Sequence, residues 1–217
     1  MISVVLPTIW KMNFHEELIK LNANDVVGEI FLINNDHINT PTWFNFSDYS
    51  KLVEIKPQQN IFVNPSWNIG VSVASFNNLM IHSDDMVSSY NFLKDMDHKL
   101  NNEDCIIGIG ETCYKPNDDN YFLEAIDNRN FAWGCIMFLR KSSYKMLPYR
   151  LWHGDDLLVE LFKHKNKPRY KIENANMSNS KISTTIDLPE FEWKWQESVG
   201  NFDQVKHEYV SDTIIRT

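Results

Sequence analysis

The sequence predicts an α/β protein, a three-layer α/β/α sandwich on a mainly parallel central sheet. Three features of the chain point there. Residues 2 to 33 run strand, helix, strand, the order that opens a parallel sheet with a right-handed crossover. Leu79-Met80-Ile81 and the apolar run within Asp104 to Gly110 read as strands covered on both faces, since their residues do not alternate with polar ones. The 217 residues, 43% hydrophobic and 13% aromatic, suffice for one sizeable core and would be cramped as two full domains.

Taken in order, Ile2 to Leu6 is a short β-branched strand stopped by Pro7. Asn13-Phe14-His15-Glu16 has the form of a capping box, and Leu18, Ile19 and Leu21 give the helix after it an apolar side. Glu29 to Ile33 is the second strand, ending in Asn34-Asn35-Asp36. His37 to Ser50, irregular and holding Pro41 and several aromatics, reads as a loop, and Lys51 to Ile55 as a third strand. Ser66 caps a helix reaching Ala74, whose small residues permit close packing on the sheet. The central strand Leu79 to Ile81 follows, then a helix from Ser88 to Leu100 and a strand within Asp104 to Gly110. Phe131 to Leu139 reads as a strand, Pro148 to His153 as a loop, and Gly154-Asp155-Asp156 opens a helix with Leu157, Leu158, Leu161 and Phe162 on one face. Pro168 ends that helix and Arg169 to Ile172 is a final edge strand. The expected organisation is one domain over residues 1–217, with a core from 2 to 173 and a tail from 174 to 217 that packs on it or joins a homodimer.

A formal net charge of −8 argues against general affinity for nucleic-acid backbone or anionic membrane. Cys105, Cys113 and Cys135 are too few and too scattered for a disulfide framework or a zinc knuckle, and read as reduced thiols. The amino terminus lacks the basic and apolar regions of a signal peptide, and no stretch approaches the roughly 18 apolar residues that span a bilayer. The expectation is a soluble, cytoplasmic protein.

The chain is organised around the stretch from Asn77 to Val87, where the central strand ends on His82-Ser83-Asp84-Asp85. Two adjacent carboxylates with no neighbouring Lys or Arg repel unless a cation or solvent offsets them, and the carboxyl ends of strands in open α/β sheets are where ligands gather. One reading is a hard divalent metal. The other is a solvated turn leading into a helix whose dipole favours acids at its start.

The order of Val4-Val5-Leu6-Pro7-Thr8, Glu29 to Asn35, Asn68-Ile69-Gly70, Ser83-Asp84-Asp85 and Gly154-Asp155-Asp156 resembles the GT-A fold glycosyltransferases of the large, inverting family-two type, over residues 2 to 173. That resemblance implies a Rossmann-like nucleotide-binding fold and a metal-dependent transfer of a hexose from a UDP-sugar donor to a saccharide or other hydroxyl acceptor. It implies Mn2+ or Mg2+ at Asp84, with Asp85 beside it, bridging the donor phosphates. Pro7 and Thr8 match the segment lining the base, Asn34 a position that reads the uracil edge, and Asn68 a polar residue near the base or pyrophosphate. Trp67 could stack on a ring or pack in the core. Ser83 belongs to the donor motif, whose first position, commonly an acid, is His82 here. Trp133 and Gly134 match the place where the family leaves room for donor sugar and acceptor, and Trp152 and His153 would flank the acceptor.

Asp156 aligns best with the family's general base and Asp155 with its neighbour, although Asp at a helix start is also an ordinary cap. Many relatives supply a His to the metal downstream. Here Asn179 and Ser180 stand near that place, so the ligand is either missing or comes from elsewhere, with His207 a candidate. Two other classes compete: a non-catalytic nucleotide-sugar or glycan-binding module on the same fold, and a nucleotidyltransferase, for which no Gly-rich, basic phosphate loop follows the first strand.

Overall fold

The computed structural model describes residues 1–110, 113, 120–126, 134–148, 153–179 and 202–211. Along the chain the elements are β1 (Ile2–Thr8), α1 (His15–Ala23), β2 (Val27–Asn34), β3 (Leu52–Ile55), α2 (Val63–Val73), β4 (Asn78–His82), β5 (Met86–Ser88), α3 (Leu93–Asn102), β6 (Ile106–Ile109), β7 (Phe122–Ala125), β8 (Ile136–Arg140), α4 (Gly154–His164), β9 (Arg169–Glu173), β10 (Met177–Asn179) and α5 (Phe202–Val210).

Alternation along β1 sets the layers. Val4 and Leu6 turn to one face of the sheet, where α1 contributes Leu18 and Leu21 and α3 contributes Met96 and Leu100. Val5 turns to the other, packing with Val71 of α2, Leu157, Leu161 and Phe162 of α4, and Tyr209 of α5. The eight-stranded sheet between them runs β3-β2-β1-β4-β8-β6-β9-β7. The run β3-β2-β1-β4 is parallel throughout, as is β6 with β9, while β8 and β7 lie antiparallel to their neighbours. The three-layer, mainly parallel α/β architecture expected from the sequence is therefore present. A two-stranded antiparallel ribbon of β5 and β10 stands apart from the main sheet. Among the described residues no helix is long and apolar enough to cross a membrane.

Close approach of α2 to β1 depends on Gly70, where a Cβ would lie 2.3 Å from Val5 Cγ1. Gly154 does the same for the start of α4, where a Cβ would lie 2.3 Å from Asn64 Oδ1. Gly70 thus seats α2 on the middle of β1, and Gly154 seats the start of α4 against the start of α2.

Several elements differ from the sequence expectation, each for a local reason. Pro7 does not stop β1, because pairing with β4 ends at Val5 and the missing N–H falls where that flank is already open. Asn13 Oδ1 accepts from His15 N–H at 3.1 Å without forming the full capping box, and the helix begins at His15. Helix α2 starts three residues before Ser66, since Pro65 lies in its first turn, where an N–H has no helical partner to lose. Ser66 instead donates back to the Phe62 carbonyl. Residues Ser88 to Phe92 are not helical: β5 pairs with β10 and α3 begins only at Leu93. Strand β9 is internal, covered by β7, which sequence reading did not anticipate; nor did it anticipate β10 or α5. Of the strand expected over Phe131 to Leu139, β8 holds Ile136 to Arg140, and 131–133 lie outside the described residues.

Candidate active site

Parallel pairing brings the carboxyl ends of β1, β2 and β4 to one edge, and antiparallel β8 starts there. Register places His82 opposite Ile136, and the Ser83 N–H donates to the Cys135 carbonyl at 2.8 Å, fixing the turn after β4 against the entry to β8. Thr8, the last residue of β1, donates from Oγ1 to Asp84 Oδ2 at 2.6 Å, and itself accepts from the Trp10 N–H at 2.9 Å. Ser83 Oγ donates to Asp85 Oδ1 at 2.5 Å. The two acids occupy a turn that leads into β5, so no helix dipole explains them.

Asp84 is 7% exposed. Burial pushes its carboxyl up to about 7 and the Asp85 charge adds to this, against the hydrogen bond from Thr8 and backbone N–H groups. Among the described residues no Lys, Arg or His lies within ion-pair distance of either acid. A buried carboxylate beside a half-buried one, with no cation at hand among the described residues, offers the oxygen donors that a hard divalent ion prefers. No group of three His, Cys, Asp or Glu converges among the described residues, so such an ion would be completed by phosphate oxygens and water.

His82, where the resembled family commonly has an acid, is buried with Nε2 2.7 Å from the Tyr90 hydroxyl. Burial drives its pKa down to about 4, against opposing effects of the Ser83 backbone and Glu17, so the ring is neutral at pH 7. Glu17 of α1 lies near Tyr90 and accepts the Ser88 N–H at 3.0 Å, tying α1 to the strand after the acids. Tyr90 and Glu17 were not singled out in the sequence. Their contact spans 73 positions and leaves no local pattern.

Asn34 is fully buried and its amide is saturated. Oδ1 accepts from Trp10 Nε1 (2.7 Å) and Asp36 N–H (3.2 Å), while Nδ2 donates to Glu54 Oε1 (2.7 Å) and Thr40 Oγ1 (3.1 Å). Trp10, in the left-handed region at φ 59°, stacks on Phe14 (5.4 Å, 11°) and meets Trp43 and Phe44, which gives the aromatic loop its packing partner. Pro7 is buried beside Thr8 in β1. Trp67 lies in the core with Val5, Phe31 and Ile33. Asn68 ties α2 to the chain before α4, donating to the Leu147 carbonyl (3.0 Å) and accepting from Leu147 N–H (2.9 Å) and the Tyr144 hydroxyl (2.8 Å).

The second acidic pair reaches this edge through Gly134. A Cβ there would lie 3.4 Å from Asp155 Oδ2, and Gly134 precedes the residue that holds Ser83. Asp156, nine-tenths buried, accepts at Oδ2 from His153 Nδ1 at 2.7 Å. His153 carries the left-handed φ of 60°, and its ring lies 4.5 Å from that of Phe202 on α5. Trp133, Trp152 and Ser180 lie outside the described residues. Asn179 ends β10, and His207 is exposed on α5.

No protein-family model matches the chain, and no curated protein matches it. Solved structures do. S. aureus TarS 1-349 in complex with UDP-GlcNAc matches with a TM-score of 0.67 at 13% identity, over 98% of this chain and 71% of that one. TarS 1-349 in complex with UDP gives 0.62 at 14%, over 98% and 70%. A structure of TarS of which this chain covers 42% gives 0.61 at 12%. The chain has the GT-A fold. The acids that follow β4 and those that open α4 lie at the edge where β1, β2 and β4 end.

Proposed function

We propose that this GT-A chain transfers a sugar from a UDP-sugar to an acceptor hydroxyl with inversion at the anomeric carbon. The observation that carries the reading is convergence: Thr8, Ser83-Asp84-Asp85, Gly134 and the start of α4 meet at one strand edge. The fold is shared with TarS, which has been solved with UDP-GlcNAc.

Asp84 and Asp85 would hold Mn2+ or Mg2+, which when bound supplies positive charge to a departing diphosphate. The remaining work falls to the chain. Thr8 fixes the Asp84 carboxylate, and the Ser83 to Cys135 hydrogen bond fixes the turn that carries it. Asp156 takes the proton of the acceptor hydroxyl as that oxygen forms its bond to the anomeric carbon and the bond to the UDP oxygen breaks on the opposite side. Asp156 suits this role because His153 Nδ1, 2.7 Å from its Oδ2, orients it, the arrangement in which a base is held ready. Asp155 lies over Gly134.

The test is calorimetric titration of UDP into the protein with Mn2+ and with EDTA, for wild type and Asp84→Asn, followed by UDP release from UDP-GlcNAc for wild type and Asp156→Asn. Binding that needs metal and is lost in Asp84→Asn is expected, and Asp156→Asn should lower turnover by about 10²–10⁴-fold with UDP binding intact. Absence of UDP binding under both conditions overturns the reading. A binding module without turnover, which the neutral His82 in place of an acid favours, would bind UDP and release none from UDP-GlcNAc.

A further inference from the structure

Among the non-glycine residues with left-handed backbone, which include Trp10, Phe62 and Tyr90, His153 stands next to the second acidic pair. It precedes α4 at φ 60° and ψ 13°, a left-handed conformation uncommon for residues other than glycine and one that His takes more readily than most, and its carbonyl accepts the Leu157 N–H at 3.0 Å to start the helix. Glycine would meet that backbone requirement without strain, so the position makes use of its side chain. The imidazole does two things at once. Nδ1 lies 2.7 Å from Asp156 Oδ2, and with Asp156 ionised, as a general base must be, the carboxylate accepts and Nδ1 carries the hydrogen. The ring face meets Phe202 at 4.5 Å and 38°, and Lys206 of the same helix lies over the other ring of that pair.

Helix α5 is itself anchored. Tyr209 is buried against α4, its hydroxyl donates to the Lys145 carbonyl at 2.6 Å, and Lys145 Nζ donates to the Tyr209 carbonyl. Residues 145–147 are also the stretch that Asn68 holds against α2. A continuous set of contacts thus runs from α5 through Phe202 and His153 to the Asp156 carboxylate.

We propose that His153 is a positioning residue for Asp156, and that α5, through Phe202, sets the orientation of the carboxylate by clamping the ring. This rests on the reading of Asp156 as the base. The separation of roles follows from geometry: Asp84 and Asp85 hold the donor end of the site, so loss of His153 leaves donor binding alone and acts on the chemical step.

The experiment uses the full chain, UDP-GlcNAc with Mn2+, water as the acceptor, and release of UDP as the signal. His153→Gly relaxes the backbone and removes the donor. His153→Asn tolerates the left-handed conformation and places an amide N–H near the position of Nδ1. The expected result is a kcat about tenfold or more lower in His153→Gly with KM for UDP-GlcNAc changed by less than about twofold, recovery to about a third of wild type or better in His153→Asn, and an intermediate loss in Phe202→Ala. Wild-type turnover in His153→Gly, or a loss in His153→Asn as deep as in His153→Gly, overturns the proposal while the transferase reading stands. A wild type that itself releases no UDP overturns both, and so the two failures are told apart.

Discussion

Replacing Asp84 by Asn should stabilise the metal-free protein while abolishing its metal-dependent binding. The folded protein holds this buried carboxyl at about 7, against 3.8 for the free group. A fold that raises the pKa of an acid favours its protonated form. The stability this contributes is fully present below about 3.8 and is lost as pH rises through about 7. Above both values the unfolded chain carries an ionised carboxylate comfortably and the folded one does not. The penalty, relative to a neutral isostere that still accepts from Thr8, is about 4 kcal/mol at pH 8 and about 0.5 kcal/mol at pH 4. For a chain of this size, that predicts Asp84→Asn melting about 8–16 °C above wild type at pH 8 in EDTA, with the gap closing to about 1–2 °C at pH 4. Thermal unfolding of both proteins across this range measures it. Saturating Mn2+ with UDP should then narrow that gap by raising only the wild type, by about 2.7 kcal/mol at a hundred times Kd. A variant that melts with or below wild type in EDTA at pH 8 would refute the claim that Asp84 is held in a desolvated site without a cation.

Gly70→Ala should destabilise, although alanine is the better helix former by about 1 kcal/mol, because the new methyl would lie 2.3 Å from Val5 Cγ1 and crowding of that kind costs about 1–3 kcal/mol. Val5→Ala in the same molecule should recover part of the loss in a double-mutant cycle read by urea unfolding, and strict additivity would count against direct contact. Phe138→Ala empties a fully buried position where the ring meets Phe92 edge-to-face at 6.0 Å, and should lower stability by about 3–5 kcal/mol with UDP affinity in the surviving folded fraction unchanged. A loss below about 1 kcal/mol in the same denaturant assay would mean that this side of the core collapses around the gap.

Local signals located the first, parallel half of the sheet and blurred beyond it. The β1-α1-β2 unit and the central strand were legible because each is a short apolar run closed by polar residues, and the run itself fixes burial on both faces. Proline misled at Pro7, since its cost depends on whether a hydrogen-bond partner waits for the missing N–H. That is a property of the neighbouring strand, and the residue alone does not reveal it. The ribbon of β5 and β10 was illegible for a related reason: three-residue strands some ninety positions apart carry no periodicity of their own.

The site divides in the same way. By itself the sequence determined that two pairs of adjacent carboxylates stand at element boundaries, one after a buried strand and one at the start of an amphipathic helix, because hydrophobic patterning dictates where those elements end. Only the tertiary structure decided what surrounds each acid. Thr8 reaches Asp84 across 76 positions, Asn34 is saturated by partners from three segments, and His153 is held between Asp156 and a helix nearly fifty residues further on. Burial and hydrogen-bond partnership set how a carboxylate behaves, and both arise from chain segments that meet only when the sheet has assembled.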